Sequence, residues 1–353
     1  MFKKHLCIML ALILIMLIGF AGIVIIIDPY YHYHQPIDGL GLTLNNERYQ
    51  NYGIARNFEY DAIITGTSMT QNFKASEVDE LFGTGSIKTS FSGARYKEVN
   101  DYLEFAINKN DDIELIIRGL DTSYILLDKD VSWYAGIEYP TYLYDDNLLN
   151  DVNYIFNKSV AISGVGSVFL NYFTGFTAST FDEYSNWMDG SVFGIDAILS
   201  EYERGEKVGE SLDILTDEDK LIIYENIEQN VISLARDNPD ITFYYFYTPY
   251  SIAWFDSLYI TGEVEKNIEA LEYVAELVLE CDNIKLYSFF DEYEMICDLD
   301  NYRDTTHYHE DINSQILIWM YNEEHLLTSE NYEEYFDKIL DFYLNYDYDA
   351  IWE

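Results

Sequence analysis

Three cysteines in 353 residues are too few for a disulfide framework. Cys7 falls inside an apolar run, which leaves Cys281 and Cys297; a bridge between them is allowed in an exported protein, and spacing alone does not require one. Basic side chains are scarce too: 20 Lys and Arg stand against 63 Asp and Glu, a formal net charge of −43. Lys3 and Lys4 precede the apolar run, so the chain after Ile27 holds 18 basic and all 63 acidic residues, a net of −45. That charge argues against nucleic acid or anionic lipid as a partner, because binding to either draws on Lys and Arg. It would repel a polyanionic substrate unless cations screen it, and it suits solubility outside the cell. Histidines number only six, nothing repeats, and there is no low-complexity tail.

What is present begins at the membrane. Leu6 to Ile27 run for 22 residues without a charge, and at about 1.5 Å per residue they span a hydrocarbon core of roughly 30 Å. The two lysines before the run hold the N-terminus inside, so the rest crosses. A secretory signal peptide is the rival, but its apolar core is about 7–15 residues and ends at a small-residue cleavage site. Here Val24 to Ile27 lead straight into Asp28-Pro29-Tyr30-Tyr31 with no A-x-A pattern, and Cys7 stands ahead of the core, where lipoprotein-type cleavage fits badly. The expectation is an uncleaved anchor at 1–27, a membrane-proximal segment at 28–58 that docks on the domain, and an extracellular domain at 59–353.

Five short β-rich runs follow: Asp61–Thr65, Ser86–Ser90, Glu114–Arg118, Ile241–Tyr247 and Ile284–Tyr287. Amphipathic segments separate them, such as Arg95–Asn108, Asp217–Arg236 and Gly262–Glu280. In the last, Val264, Ile268, Leu271, Val274, Leu277 and Val278 recur every three or four residues, as on one buried helix face. Strand alternating with helix predicts an α/β fold with a parallel five-stranded sheet covered on both sides. From about 123 to 216 the rhythm is lost among Gly, Ser and aromatic residues, and this stretch is expected as an insertion or cap flanking the cleft. After Ile312 the pattern is helical to the end. The 34 tyrosines suit wet surfaces and sugar-binding clefts, and compositional drift in an acidic surface protein accounts for them as well.

In such a sheet, ligands sit beyond the carboxyl ends of the strands. The first end is Gly66-Thr67-Ser68-Met69-Thr70, where a serine in a tight turn projects its hydroxyl and the following N–H groups can hold an oxyanion. The plain alternative is that Ser68 or Thr70 caps a helix. Ser92-Gly93, Gly119-Leu120-Asp121 and Thr248-Pro249-Tyr250-Ser251 close the other strands, as ordinary turns or as cleft walls. Near the C-terminus stands Arg303-Asp304-Thr305-Thr306-His307. A nucleophilic serine needs an imidazole, and the imidazole needs a group holding its tautomer; Asp304 and His307, three residues apart, can supply both. His307 and His309 with Asp304 or Asp311 also admit a metal reading, without a third His or Cys to complete it.

Gly66-Thr67-Ser68, Gly93, the turn at Gly119–Asp121 and Asp304-x-x-His307 together resemble the SGNH/GDSL hydrolase superfamily over about residues 60 to 320. The resemblance implies a flavodoxin-like three-layer α/β/α fold and esterase or acyltransferase activity without a cofactor. It makes Ser68 the nucleophile, Asp304 and His307 the acid–base pair, and Gly93 one oxyanion donor; Asp121 and Tyr250, read from their strand ends, join the oxyanion or substrate-binding candidates. Where that superfamily has an asparagine in its third block, this chain has Asp121, which cannot donate when ionised; its first block reads Gly-Thr-Ser-Met rather than Gly-Asp-Ser. The anchor and the Gly-Thr-Ser start look like the cell-envelope branch, which includes the D-alanyl transfer protein of teichoic acid modification and polysaccharide O-acetyltransferases. The implied partners are a cell-envelope glycan or acylated polymer and a membrane acyl-transfer protein. A catalytically silent protein that keeps the fold and binds glycan or a membrane partner is the competing expectation.

Overall fold

The computed structural model describes residues 2–132, 139–175, 180–208 and 213–352. Parts of the expected insertion, 133–138, 176–179 and 209–212, lie outside the described residues. The chain forms two compact units, one of Met1–Glu59, Phe105–Asp111 and Ile137–Ser185, the other of Tyr60–Glu104, Asp112–Gly136 and Asn186–Glu353. The segment at 28–58 and the middle of the expected insertion therefore share one unit.

The larger unit is mixed α/β, built on a six-stranded, mostly parallel sheet. Its strands are β1 (Ala62–Thr65), β2 (Ser86–Lys88), β3 (Leu115–Leu120), β4 (Thr242–Tyr247), β5 (Ile284–Tyr287) and β6 (Leu326–Leu327), in the order β2-β1-β3-β4-β5-β6. The first five are parallel, with Ile63 beside both Ile87 and Ile116, and Phe246 beside Tyr287. Ala62, Ile63 and Ile64 have no exposed surface, as strands covered on both faces require. The order 2-1-3-4-5 reverses direction between β1 and β3, and the loops leaving these two strands frame the crevice typical of doubly wound sheets.

Two expectations are corrected here. The sheet has a sixth strand: β6 pairs antiparallel with β5 through Leu327–Leu286 and Leu326–Tyr287. Two residues show no alternation, so nothing in the periodicity interrupts the helical C-terminal pattern. In addition, Gly119 and Leu120 belong to β3 and do not begin the turn. A Cβ on Gly119 would come within 3.0 Å of Thr70 Cγ2 and 3.2 Å of the Phe246 ring, so a bare backbone is what lets the Ser68 turn rest on this strand.

The Val264–Val278 helix buries Val264, Ile268, Leu271, Val274 and Val278 and packs against the Asp217–Ile227 and Tyr332–Asn345 helices. Its neighbour Asp217–Ile227 starts on a capping box in which the Thr216 side chain and Asp219 satisfy each other's backbone N–H. A separate pair, Ala75–Phe82 and Glu310–Tyr321, packs together elsewhere in the unit. Arg118 of β3 is wholly buried without an ion-pair partner among the described residues: its guanidinium donates to the carbonyls of Asn230 and Tyr96 and lies over the Tyr96 and Tyr245 rings.

In the smaller unit, the Phe2–Ile27 helix is long and apolar enough to cross a membrane. Immediately after it Asp28, at φ +42, folds the chain back. Its buried carboxylate accepts the N–H groups of His32, Tyr33 and His34 at 3.1, 2.7 and 3.0 Å, and the Tyr154 hydroxyl at 2.8 Å. Burial raises the Asp28 carboxyl pKa despite these bonds. Val24, Tyr30, Leu143, Tyr154, Val160 and Val165 form an apolar cluster around this turn. The Glu47–Asn57 helix of the same unit starts on Asn46, whose side chain accepts from the Tyr49 N–H.

Candidate active site

Gly66 follows β1 at φ +143, a conformation open to glycine, and a Cβ there would lie 2.9 Å from Thr70 Cγ2. The chain then turns once as a 3-10 helix over Ser68–Thr70. Thr67 caps this turn by accepting from the Met69 N–H, and Thr70 Oγ1 donates to Thr67 O at 3.0 Å. The Ser68 N–H, first in the turn, is not used within it.

Ser68 Oγ lies 2.8 Å from His307 Nε2, and His307 Nδ1 lies 2.7 Å from Asp304 Oδ2. The other carboxylate oxygen, Oδ1, accepts the N–H groups of Thr306 and His307 at 2.9 and 2.8 Å. Burial pushes the Asp304 pKa up; the hydrogen bond and charge of His307 and the two backbone donors outweigh this and bring it down to about 2. An ionised carboxylate only accepts, so Nδ1 must carry a proton and Nε2 is left to accept from Ser68.

The loop bearing these groups is pinned. Tyr302 bridges Tyr308, the Tyr302 hydroxyl donates to Pro249 O, and Ser251 Oγ donates to Thr305 O at 2.7 Å. Asn313 Nδ2 donates to Met69 O at 3.2 Å, which ties the C-terminal element to the serine turn. The lowered Asp304 pKa has a stability consequence. The carboxylate stabilises the fold fully above its ordinary value of 3.8, and that contribution is lost as pH falls through about 2. Asp304→Asn is therefore expected to flatten the acid side of the stability curve by about 2 kcal/mol between pH 4 and pH 2. Urea unfolding across that range measures it; equal slopes in both proteins would contradict the assignment.

Asp121 and Tyr250 meet each other below the surface. Both are 3% exposed. Asp121 Oδ2 accepts from Thr67 Oγ1 and Oδ1 from the Tyr250 hydroxyl, each at 2.7 Å, while the Tyr96 hydroxyl donates to Asp121 O at 2.8 Å. Burial raises the Asp121 pKa against the hydrogen bonds from Tyr250 and Thr67 and the charge of His307. This buried carboxyl holds Thr67, and through it the backbone that presents Ser68. Gly93 lies in the turn after β2 at φ +69, its carbonyl accepting from Arg95 Nη1. The same stretch meets the serine turn through Phe91 N–H to Gly66 O at 2.9 Å and, since Thr70 Oγ1 gives its proton to Thr67 O, through Ser90 Oγ donating to Thr70 Oγ1 at 2.7 Å.

Known proteins add little to this geometry. Neither a family model nor a curated protein matches the chain. A solved structure described as that of "a putative platelet activating factor from Streptococcus pneumonia" aligns with it at TM-score 0.36 and 11% identity, covering 78% of this chain and 89% of that one.

Trp187 has no counterpart among the residues the sequence singles out. Its indole N–H donates to Ser68 O at 3.1 Å, its ring meets His307 edge-on at 5.4 Å, and Arg303 lies over it at 5.1 Å. Beside these groups are two hollows. One of about 270 Å³ is lined by Glu201, Tyr202 and Asp304 through His307; another of about 540 Å³ extends along Trp187, Asp189, Asp196, Glu201 and Arg303. His309 packs on Phe193, and its Nδ1 accepts from the Asp311 N–H. Among the described residues, no three His, Cys, Asp or Glu side chains group as metal ligands.

Proposed function

We propose that this chain is a membrane-anchored esterase or acyltransferase of SGNH type, with a flavodoxin-like three-layer domain. It forms an acyl-enzyme on Ser68 and acts on a cell-envelope glycan or other acylated polymer outside the cytoplasm, with no cofactor. The observation that carries this is the unbroken Ser68–His307–Asp304 relay at 2.8 and 2.7 Å. Ser68 Oγ attacks the acyl carbonyl while His307 Nε2 takes the hydroxyl proton. The proton passes to the departing alcohol, the original ester bond breaks and the acyl group stays on Ser68. Water or a sugar hydroxyl then reverses the sequence with His307 again as base. Asp304 holds the tautomer and faces the imidazolium. The unused Ser68 N–H and the Gly93 turn are the candidates for holding the oxyanion.

The hollows beside the relay support a neutral, hydroxyl-rich substrate: Trp187 offers a stacking face, and Asp189, Asp196 and Glu201 outnumber Arg303. A membrane acyl-transfer protein fits as acyl donor for an enzyme held at the same membrane. One observation favours a silent, glycan-binding protein instead. Both oxygens of Asp121 accept hydrogen bonds, so the position where the superfamily places an asparagine supplies no oxyanion donor.

The decisive experiment is labelling with a fluorophosphonate probe. The wild type is expected to gain the phosphonyl mass on the peptide containing Ser68, and Ser68→Ala to gain none. A folded wild type left unlabelled would favour the silent protein.

A further inference from the structure

We propose that the segment 147–175 is a membrane-seated foot that buries an outward apolar face in the lipid beside the end of the N-terminal helix. This goes beyond the acyl chemistry and rests only on that helix lying in a bilayer. The first observation is adjacency. The Val152–Ile155 and Val165–Thr174 helices pack against the N-terminal helix, and Phe156 stacks on Phe20 with ring centroids 6.0 Å apart. A Cβ on Gly164 would lie 2.9 Å from Pro29 Cγ, so this segment presses directly on the residues where the chain leaves the span. Phe20 comes seven residues before Ile27, about 10 Å down the helix axis. Whatever stacks on Phe20 is therefore at the depth reached by interfacial helices, about 5–10 Å below the headgroup boundary.

The second observation is the surface itself. While Val160, Val165 and Val168 face inward, Phe156, Ile162, Phe169 and Phe173 stand 45, 63, 42 and 76% exposed. Apolar on both faces, the segment does not resemble a water-facing helix. Its apolar helical stretch, the 15 residues Val160–Thr174, is too short to span a bilayer, which suits lying along the interface. In a chain where more than one residue in six is acidic, Val152 to Gly175 contains no Asp or Glu, and its only cation is Lys158.

The third observation is where the polar groups go. Ser167 Oγ donates to Ser163 O, and Thr174 Oγ1 to Leu170 O. Asn171 Nδ2 reaches Leu42 O and Thr43 Oγ1. Hydroxyls that return to their own helix carbonyls are how a lipid-facing helix satisfies polar side chains without water. The absence of a basic cluster makes this an apolar insertion, not attraction to anionic headgroups.

Spin-label accessibility in the full chain tests the proposal. The protein, with Cys7→Ser, Cys281→Ala and Cys297→Ser, is placed one chain per nanodisc of neutral phosphatidylcholine and labelled at Phe169→Cys or Phe173→Cys. Leu14→Cys in the span and Leu221→Cys, exposed in the larger unit, serve as the lipid and water references. The ratio of oxygen to nickel-chelate accessibility at Phe169 and Phe173 is expected to be several-fold above that at Leu221 and to approach that at Leu14. A ratio equal to that at Leu221 would mean water covers the face and overturns the proposal. Low access to both reagents would mean protein covers it and overturns it equally. Neither result depends on activity, so the acyl-transfer proposal stands or falls separately.

Discussion

Ser68→Ala should remove turnover of an activated acetyl ester on the order of 10⁶-fold, the scale of deleting a triad serine from a serine protease. The neighbouring described hydroxyls are engaged otherwise: Thr67 Oγ1 is committed to Asp121, Thr70 Oγ1 to Thr67 O and Ser90, and Thr306 Oγ1 lies on the Nδ1 side of His307 and donates to Asp304. Stability should stay within about 1–2 kcal/mol, because the turn is capped by Thr67 and, among the described residues, the Ser68 hydroxyl bonds only to His307. Mass spectrometry after incubation with the ester should find acyl mass on the wild-type Ser68 peptide and none on the variant. His307→Ala should slow both appearance and decay of that mass, since one imidazole is the base for acylation and deacylation. A stable wild type that acquires no acyl mass from a range of donors would leave only the binding role.

The second large effect is expected of Asp304→Asn, a loss of about 10⁴-fold in kcat/KM with the fold retained. The asparagine carbonyl can still accept from the Thr306 and His307 N–H groups that now bind Oδ1. Its amide NH₂ would then stand where Oδ2 meets Nδ1 at 2.7 Å. Nδ1 would have to accept, the proton would move to Nε2, and Nε2 could no longer take the serine proton. Ester turnover with circular dichroism on the same samples separates this from misfolding. An unchanged rate would assign the orienting role to another carboxylate, with Asp300 on the preceding turn the first to test.

Much of this arrangement was legible in the chain because burial writes a strong local signal. Strands covered on both faces must be nearly all apolar, so DAIIT, ELIIR and ITFYYFY announce β1, β3 and β4 within a residue or two. Ser68 and the Asp304–His307 pair were legible for a different reason: strand ends and short polar loops admit few chemistries. What was not legible depends on contacts distant in sequence. Asp121 was placed at a strand end, yet nothing local says that its side chain turns back under Thr67 or meets Tyr250, 129 residues away. Trp187 lies in an aperiodic stretch, and only folding brings it 3.1 Å from Ser68 O. The stretch 123–216 lacks a rhythm throughout and so carries no local mark of where one unit gives way to the other: its middle belongs with the N-terminal residues, and Asn186 onward with the sheet.

The knot at Asp28 changes what kind of attachment the N-terminal helix provides. A membrane domain on a flexible linker wanders over a hemisphere, and its reach is set by the linker's length. Here the linker is gone: directly after the helix end, the Asp28 carboxylate gathers the backbone N–H groups of His32, Tyr33 and His34 and the hydroxyl of the distant Tyr154. The smaller unit is mounted on its helix like a handle on a shaft, so a tilt or rotation of the helix in the bilayer must turn the unit by the same angle. In a bilayer, hydrophobic mismatch, to which a long apolar helix responds in part by tilting, would thereby bear on the orientation of the smaller unit itself.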